Sequence, residues 1–306
     1  MYFIVFAISY PFIWLFSSLP MRILYLKSDF LFFIIYYVIG YRKKVVLNNL
    51  NLAFPNKTLD EKIKISKDFF KHFTDSFMET IKALSITEAE ISKRYTYSNP
   101  EVVNNIIAEG KSIALVRAHQ ANWEWCTNMP LFLNAKVNSA YTTIGNPYFD
   151  KLIKTSREKF GIDCYQSAKS VKAIHRDFKN KIQGIYLLIS DQSPQLHKAS
   201  YWTNFFGVHV PVHTGAEALA KKFDLAVVNC ATTKIKRGYY NTEFQLITTK
   251  PKETSKHEIT DSFFKLTEDI VNKQPEFYLW SHKRFKHKDR LEEWKKLKIS
   301  KSKKKN

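Results

Sequence analysis

Two short uncharged runs, Ile113-Ala-Leu-Val116 and Gly184-Ile-Tyr-Leu-Leu-Ile189, constrain this chain most. Each has the length of a strand and is apolar throughout, the pattern of a parallel strand covered on both faces rather than one half-open to water. Helix signals alternate with them. Asn99-Pro100 opens a helix that Gly110 closes, Asn146-Pro147 opens one ending at Gly161, and further helices are predicted over 170–179, 215–222 and 258–272. Other strands are predicted near 137–143, 225–231 and 239–248. The expectation is an α/β fold with a mostly parallel central sheet flanked by helices. In such sheets chemistry gathers beyond the carboxyl ends of the strands. The first run delivers Arg117, Ala118 and His119 there, and the second delivers Asp191 and Gln192. A helix over 121–133 and an aromatic loop over 201–212 complete the prediction.

Glu124 follows His119 after four intervening residues. Positions five apart on one straight helix face different ways, so the two meet only if the chain bends between them. If they do, a carboxylate holds an imidazole that can take the proton of an attacking hydroxyl. A hydrogen-bonded core histidine is the alternative reading. Spacing alone does not decide: nine histidines and 28 acids in 306 residues give about 0.8 such pairs by chance. The second such pair, His287 with Glu292 in the charged KHKDRLEEWKK, reads as a solvated helix face. Asp191 either caps a loop or shapes the pocket.

Residues 1–21 carry no charge, and a bilayer span needs about 20 apolar residues, so this segment reads as a transmembrane anchor. The apolar, aromatic run over 30–41, bracketed by Lys27 and by Arg42, Lys43 and Lys44, is too short to span. It reads as interfacial, within a region over 22–54. Positive charge after the first segment points the remainder to the cytoplasm. A catalytic domain over 55–290 and a basic, disordered tail over 291–306 follow. A net charge of +20 points to anionic partners. The lysines and arginines are scattered and form no nucleic-acid-binding module, so nucleic acid is excluded. The few glycines form no phosphate loop. Cys126, Cys164 and Cys230 lie far apart and read as small buried residues of a reducing compartment. His209 and His213 have a ligand-like spacing, but Pro211 between them argues against a metal site.

Several stretches together resemble the late acyltransferases of lipid A assembly, over nearly the whole chain. They are the N-terminal apolar helix ending in Leu19-Pro20, Asn48-Asn-Leu-Asn-Leu-Ala-Phe-Pro55, Met78-Glu-Thr80, and His119 with Glu124 in an Asn122-Trp-Glu setting. Asn146-Pro147, Asp191, Thr214-Gly215 and PEFYLWSHKRFK near the end follow in order. The resemblance implies a glycerol-phosphate-acyltransferase-like fold in a single-pass inner-membrane enzyme with its catalytic domain in the cytoplasm. It implies an acyl chain passed from acyl carrier protein to a hydroxyl of a lipid A precursor, with His119 as base oriented by Glu124. No cofactor or metal is implied. Asn122, Asn146 and Asp191 are expected around the substrate, and Lys283 and Arg284 are expected to meet an acidic carrier protein or lipid phosphates. One departure stands out: many members carry an arginine four residues before the Asn-Pro, where this chain has Thr142. Arg117, two residues before His119 and so expected on the same face, is the candidate to replace it.

Overall fold

The structure is a computed structural model describing residues 1–303. In chain order come α1 (Tyr2–Ser18), α2 (Met21–Phe33), a π-helical turn (Ile34–Ile39), α3 (Lys43–Ala53), α4 (Leu59–Lys82) and α5 (Glu88–Arg94). Then follow β1 (Tyr95–Tyr97), α6 (Glu101–Ala108), β2 (Ile113–Arg117), a 3₁₀ segment (Trp125–Leu131) and β3 (Lys136–Tyr141). Next are α7 (Pro147–Glu158), β4 (Asp163–Gln166), α8 (Ser170–Lys179) and β5 (Gly184–Ile189). The chain continues with β6 (Tyr201–Phe205), β7 (Val208–Val212), α9 (Gly215–Phe223), β8 (Ala226–Lys236) and β9 (Tyr239–Thr248). It closes with α10 (Glu258–Lys273) and α11 (Leu291–Lys303).

Seven strands form one sheet in the order β1-β9-β8-β2-β5-β3-β4. The run from β8 to β4 is parallel; β9 pairs antiparallel with β8 through a hairpin, and β1 lies parallel to β9. The uncharged runs are β2 and β5, the two central neighbours. Because side chains alternate along a strand, Ala114, Val116, Tyr186 and Leu188 enter one apolar layer with α9 and α10. Ile113, Leu115, Ile185 and Leu187 enter the other with α6 and the 3₁₀ segment. A continuous apolar strand is therefore required at both positions, as their sequences anticipate.

Helix starts are legible where side chains cap them. Thr58 and Glu61 form the reciprocal capping box that opens α4, and Asn146 accepts from the Tyr148 amide with Pro147 in the first turn of α7. Other expectations are corrected. No α-helix forms over 121–133: Ala121 takes a left-handed φ of 54°, and the segment resolves into turns and the 3₁₀ run. The aromatic stretch over 201–212 is the β6–β7 hairpin, which covers the α10 side of the core. Helices α2 and α3, read from the sequence as interfacial, also bury Leu24, Val46 and Leu50 against the body. The tail expected to be disordered is helical over Leu291–Lys303, with the Trp294 indole donating to the Ala199 carbonyl; its last residues, 304–306, lie outside the described ones. Arg237 and Gly238 form the β8–β9 turn. Gly238 has φ +74°, and a Cβ there would run into the Tyr25 hydroxyl, so a side chain would be strained twice over.

Candidate active site

Strands β2 and β5 pair with Arg117 opposite Ile189. The residues two further on, His119 and Asp191, therefore leave adjacent parallel strands side by side. Their side chains meet: His119 Nδ1 lies 2.7 Å from Asp191 Oδ1. Asp191 is 1 % exposed and His119 18 %. Burial acts to raise the Asp191 pKa, but the imidazole charge, the hydrogen bonds from His119 and the Tyr278 hydroxyl outweigh it. The carboxyl is held below its ordinary value. A carboxylate accepting at Nδ1 fixes the tautomer with its proton there, so Nε2 is left as the basic nitrogen. Nε2 lies 3.3 Å from the Gln192 amide, and the Trp123 ring packs edge-on against the imidazole.

Glu124 is not the partner of His119. The Asn122 side-chain oxygen accepts from the Glu124 and Trp125 amides, turning the chain so that Glu124 faces α7. There it takes Arg157 in a two-pronged pair, at 3.0 Å to Nε and 2.7 Å to Nη2. Burial works against the Arg157 charge, but Glu124 more than compensates and raises its pKa. His119, Glu124, Arg157, Gln192 and Thr142 all line one cavity of about 770 Å³, within the range of about 300–1,000 Å³ that holds a small organic ligand. Ala140, Ile162, Val171, Leu188, Ala216 and Leu219 supply apolar wall.

Arg117 is elsewhere. It is 0 % exposed, donates from Nη2 to the Thr232 hydroxyl at 3.3 Å, and lies beside Tyr95, Cys126 and Cys230 in the core. The alternation that placed it with His119 holds only inside a strand, and β2 ends at Arg117. Asn122 is also buried, its oxygen capping the turn and its amide donating to Glu79 at 2.7 Å. It shapes the site from behind.

The sequence model of the bacterial lipid A biosynthesis acyltransferases matches residues 1–287. This chain belongs to that family. Among curated relatives it is similar to the lipid A biosynthesis myristoyltransferase of Escherichia coli (strain K12). The two are 24% identical over 172 residues, 55% of this chain and 51% of the relative. The lipid A biosynthesis acyltransferase 1 of Shigella flexneri matches with the same identity and coverage. The aligned region thus spans about half the length of each relative.

For this lipid A acyltransferase family member, the remaining motif residues hold the frame of the site. Asn146 lies outside the cavity, capping α7 and donating to the Tyr2 carbonyl at 3.2 Å. Arg284 is 1 % exposed and sits over the Phe205 and Phe264 rings, so it cannot be the surface cation expected from sequence. Lys283 is exposed, in a separate cleft beside Lys44, Asn48, Lys286 and Lys288. The segment over 275–285 runs along the turn that carries His119, with the Leu279 amide bonded to His119 O and the Ala121 amide to Phe277 O. Asn49 of the NNLNLAFP stretch clamps it by donating to Trp280 O at 2.8 Å and His282 O at 2.7 Å.

Sequence reasoning missed Arg157, Gln192 as a neighbour of Nε2, and Glu79. Glu79 was legible only as part of a motif. It is fully buried and accepts from Tyr25, Tyr240 and Asn122 at 2.7–3.0 Å, while its carbonyl accepts the Trp125 indole. Burial raises its pKa, and Lys234 opposes that shift. Glu79→Ala strands three donors, of which Tyr240 and Asn122 are buried, so we expect a loss of about 2–4 kcal/mol in unfolding free energy, read by denaturant titration. The Asn122 turn should loosen with it, lowering turnover more than a surface substitution of equal stability cost would.

Proposed function

We propose that the protein is an O-acyltransferase that moves a fatty acyl chain from the thioester of acyl carrier protein to a hydroxyl of a lipid A precursor, at the cytoplasmic face of the inner membrane. The observation that carries this reading is the imidazole at the cavity wall, its Nδ1 held by a buried carboxylate and its basic Nε2 turned towards the Gln192 amide, the nitrogen that a substrate hydroxyl would meet. As the acceptor oxygen attacks the thioester carbon, its proton passes to His119 Nε2. The carbonyl oxygen becomes anionic, the carbon–sulfur bond breaks, and the leaving thiolate takes the proton back from the imidazolium. Asp191 fixes the tautomer and steadies that imidazolium. The thioester is already activated, so the step calls for no metal or redox cofactor. Arg157, aimed by Glu124, and the Gln192 amide are the donors within the cavity suited to the developing oxyanion or to an acceptor phosphate. The apolar wall suits the acyl chain.

The cleft of Lys44, Lys283, Lys286 and Lys288 suits the acidic carrier protein. Charge reversal by Lys283→Glu with Lys286→Glu is expected to raise KM for acyl carrier protein about 10-fold with little change in kcat. The salt dependence of KM should flatten in the same variant, which steady-state assays at two ionic strengths will show.

Thr142 supports a second reading. It stands on the cavity wall where many family members have arginine, which suits an acceptor with less anionic charge, such as a lysophospholipid, aminolipid or glycolipid. Mass spectrometry of lipids from cells lacking the protein separates the two. A lipid A species short of one acyl chain supports the first reading; an intact lipid A with another lipid under-acylated supports the second. No change in any acylated lipid would leave a non-catalytic adaptor for acyl carrier protein as the better account.

A further inference from the structure

Helix α1 contains no charged residue and is 17 residues long, about 25 Å at 1.5 Å per residue. That is short of the roughly 30 Å hydrocarbon core of a bilayer. Among the described residues no single helix is long and apolar enough to cross a membrane, and α1 meets the following helix, Met21–Ile39, at a bend of 120°. Only one stripe of α1 is covered, at Phe6, Ser9, Ile13, Phe16 and Ser17, a helical spacing. Phe3, Ile4, Ile8, Phe12, Trp14 and Leu15 are open.

Both ends of α1 are tied to the same α/β body. At its start the Tyr2 carbonyl accepts from Asn146, and Phe6 packs on Tyr148 and Phe149 of α7 at 5.3–5.5 Å. At its end Lys82 of α4 donates to the carbonyls of Ser17 at 3.2 Å and Leu19 at 3.1 Å. A helix crossing the bilayer has its two ends in different aqueous compartments, so the catalytic body would have to straddle the membrane. Helix α2 does not provide a span either. Its Asp29 pairs with Arg237 at 2.6 Å, and its Ser28 donates to Asp75 at 2.8 Å. Such an ionic patch is costly in hydrocarbon.

We propose that α1 lies in the plane of one leaflet, with the N-terminus on the same side as the catalytic cavity, and that the cavity mouth opens beside it at the lipid surface. The occupant of the open face is lipid. The exposed apolar series continues through Leu26, Phe30, Phe33 and Val38, while Arg22 and Lys27 are exposed around it, where cations meet lipid phosphates. The placement of the mouth follows from the loop that ties α1 down. Thr142 lines the cavity, Ile144 is exposed, and Asn146 holds the start of α1. An acyl acceptor can then reach His119 sideways without leaving the leaflet. The inference rests on the membrane part of the proposed function and not on its chemistry.

The test uses the full chain and reads no turnover. Cys126, Cys164 and Cys230 are buried, so a single added cysteine reports location. Tyr2→Cys and, separately, Lys256→Cys on the catalytic body are labelled with a membrane-impermeant maleimide in inside-out and right-side-out membrane vesicles. Labelling of both from the cytoplasmic side alone is expected; labelling of Tyr2→Cys only from the opposite side overturns the proposal. In flotation with phosphatidylethanolamine–phosphatidylglycerol vesicles, the wild type should rise with lipid. Ile8→Ser with Phe12→Ser and Trp14→Ser should cut the bound fraction by about 10-fold or more at unchanged melting temperature. A wild type that stays unbound, or dimerises through this face instead, also overturns it. A protein inactive in acyl transfer that still floats and labels from one side would sink the catalytic reading alone.

Discussion

His119→Asn is expected to slow acyl transfer by about 10²–10⁴-fold, the range that a positioned general base contributes. An alcohol is a weak nucleophile at neutral pH, and without a base its proton must leave to water. Asparagine is the informative substitute because its amide can still donate towards Asp191. Alanine would leave a buried carboxylate without its 2.7 Å partner and confound chemistry with a stability loss of about 1–3 kcal/mol. Steady-state assays with acyl carrier protein thioester and acceptor, beside a melting curve, separate these effects. Retention of full turnover by a folded His119→Asn protein would remove the base from the mechanism.

The second large effect belongs to Asp191. Asp191→Asn keeps the shape but offers an amide where the imidazole needs an acceptor, so the ring can turn over or adopt the wrong tautomer. Turnover should fall by about 10²–10⁴-fold. Glu124→Gln acts by another route. It frees Arg157 from a two-pronged pair, and its cost should appear chiefly in substrate binding, with kcat falling less than in Asp191→Asn. Had Glu124 held His119, as the family resemblance implies, the ranking would be reversed. Asp191 also has a stability signature. Its folded pKa is depressed, so its contribution is fully present above its unfolded value of about 3.9 and is lost as pH falls through the lower folded value. Between pH 5 and 9 it stays charged, and pH effects on rate in that window do not come from its titration.

The parts legible in the sequence were those fixed by local chemistry. β2 and β5 could be read because continuous apolar runs have few other uses, and α4 and α7 because Thr58, Glu61 and Asn146 cap them. Both site-bearing strand ends were visible. That they are neighbours was not, because 72 residues separate His119 from Asp191 and pairing order leaves no local trace. The choice of carboxylate failed for the same reason. Glu124 is near in sequence, yet the Asn122 turn and the left-handed Ala121 aim it at α7. Arg117 misled because period-two reasoning was carried one residue pair beyond the end of β2. Arg157 was indistinguishable from any surface arginine near a helix end until α7 was placed against the cavity.

A double-mutant cycle on kcat with His119→Asn and Asp191→Asn tests most directly whether the buried acid just past β5 acts through the reacting imidazole. If it does, the double variant turns over no more slowly than His119→Asn alone. Losses that multiply, or non-additivity with Glu124→Gln instead, would contradict the account.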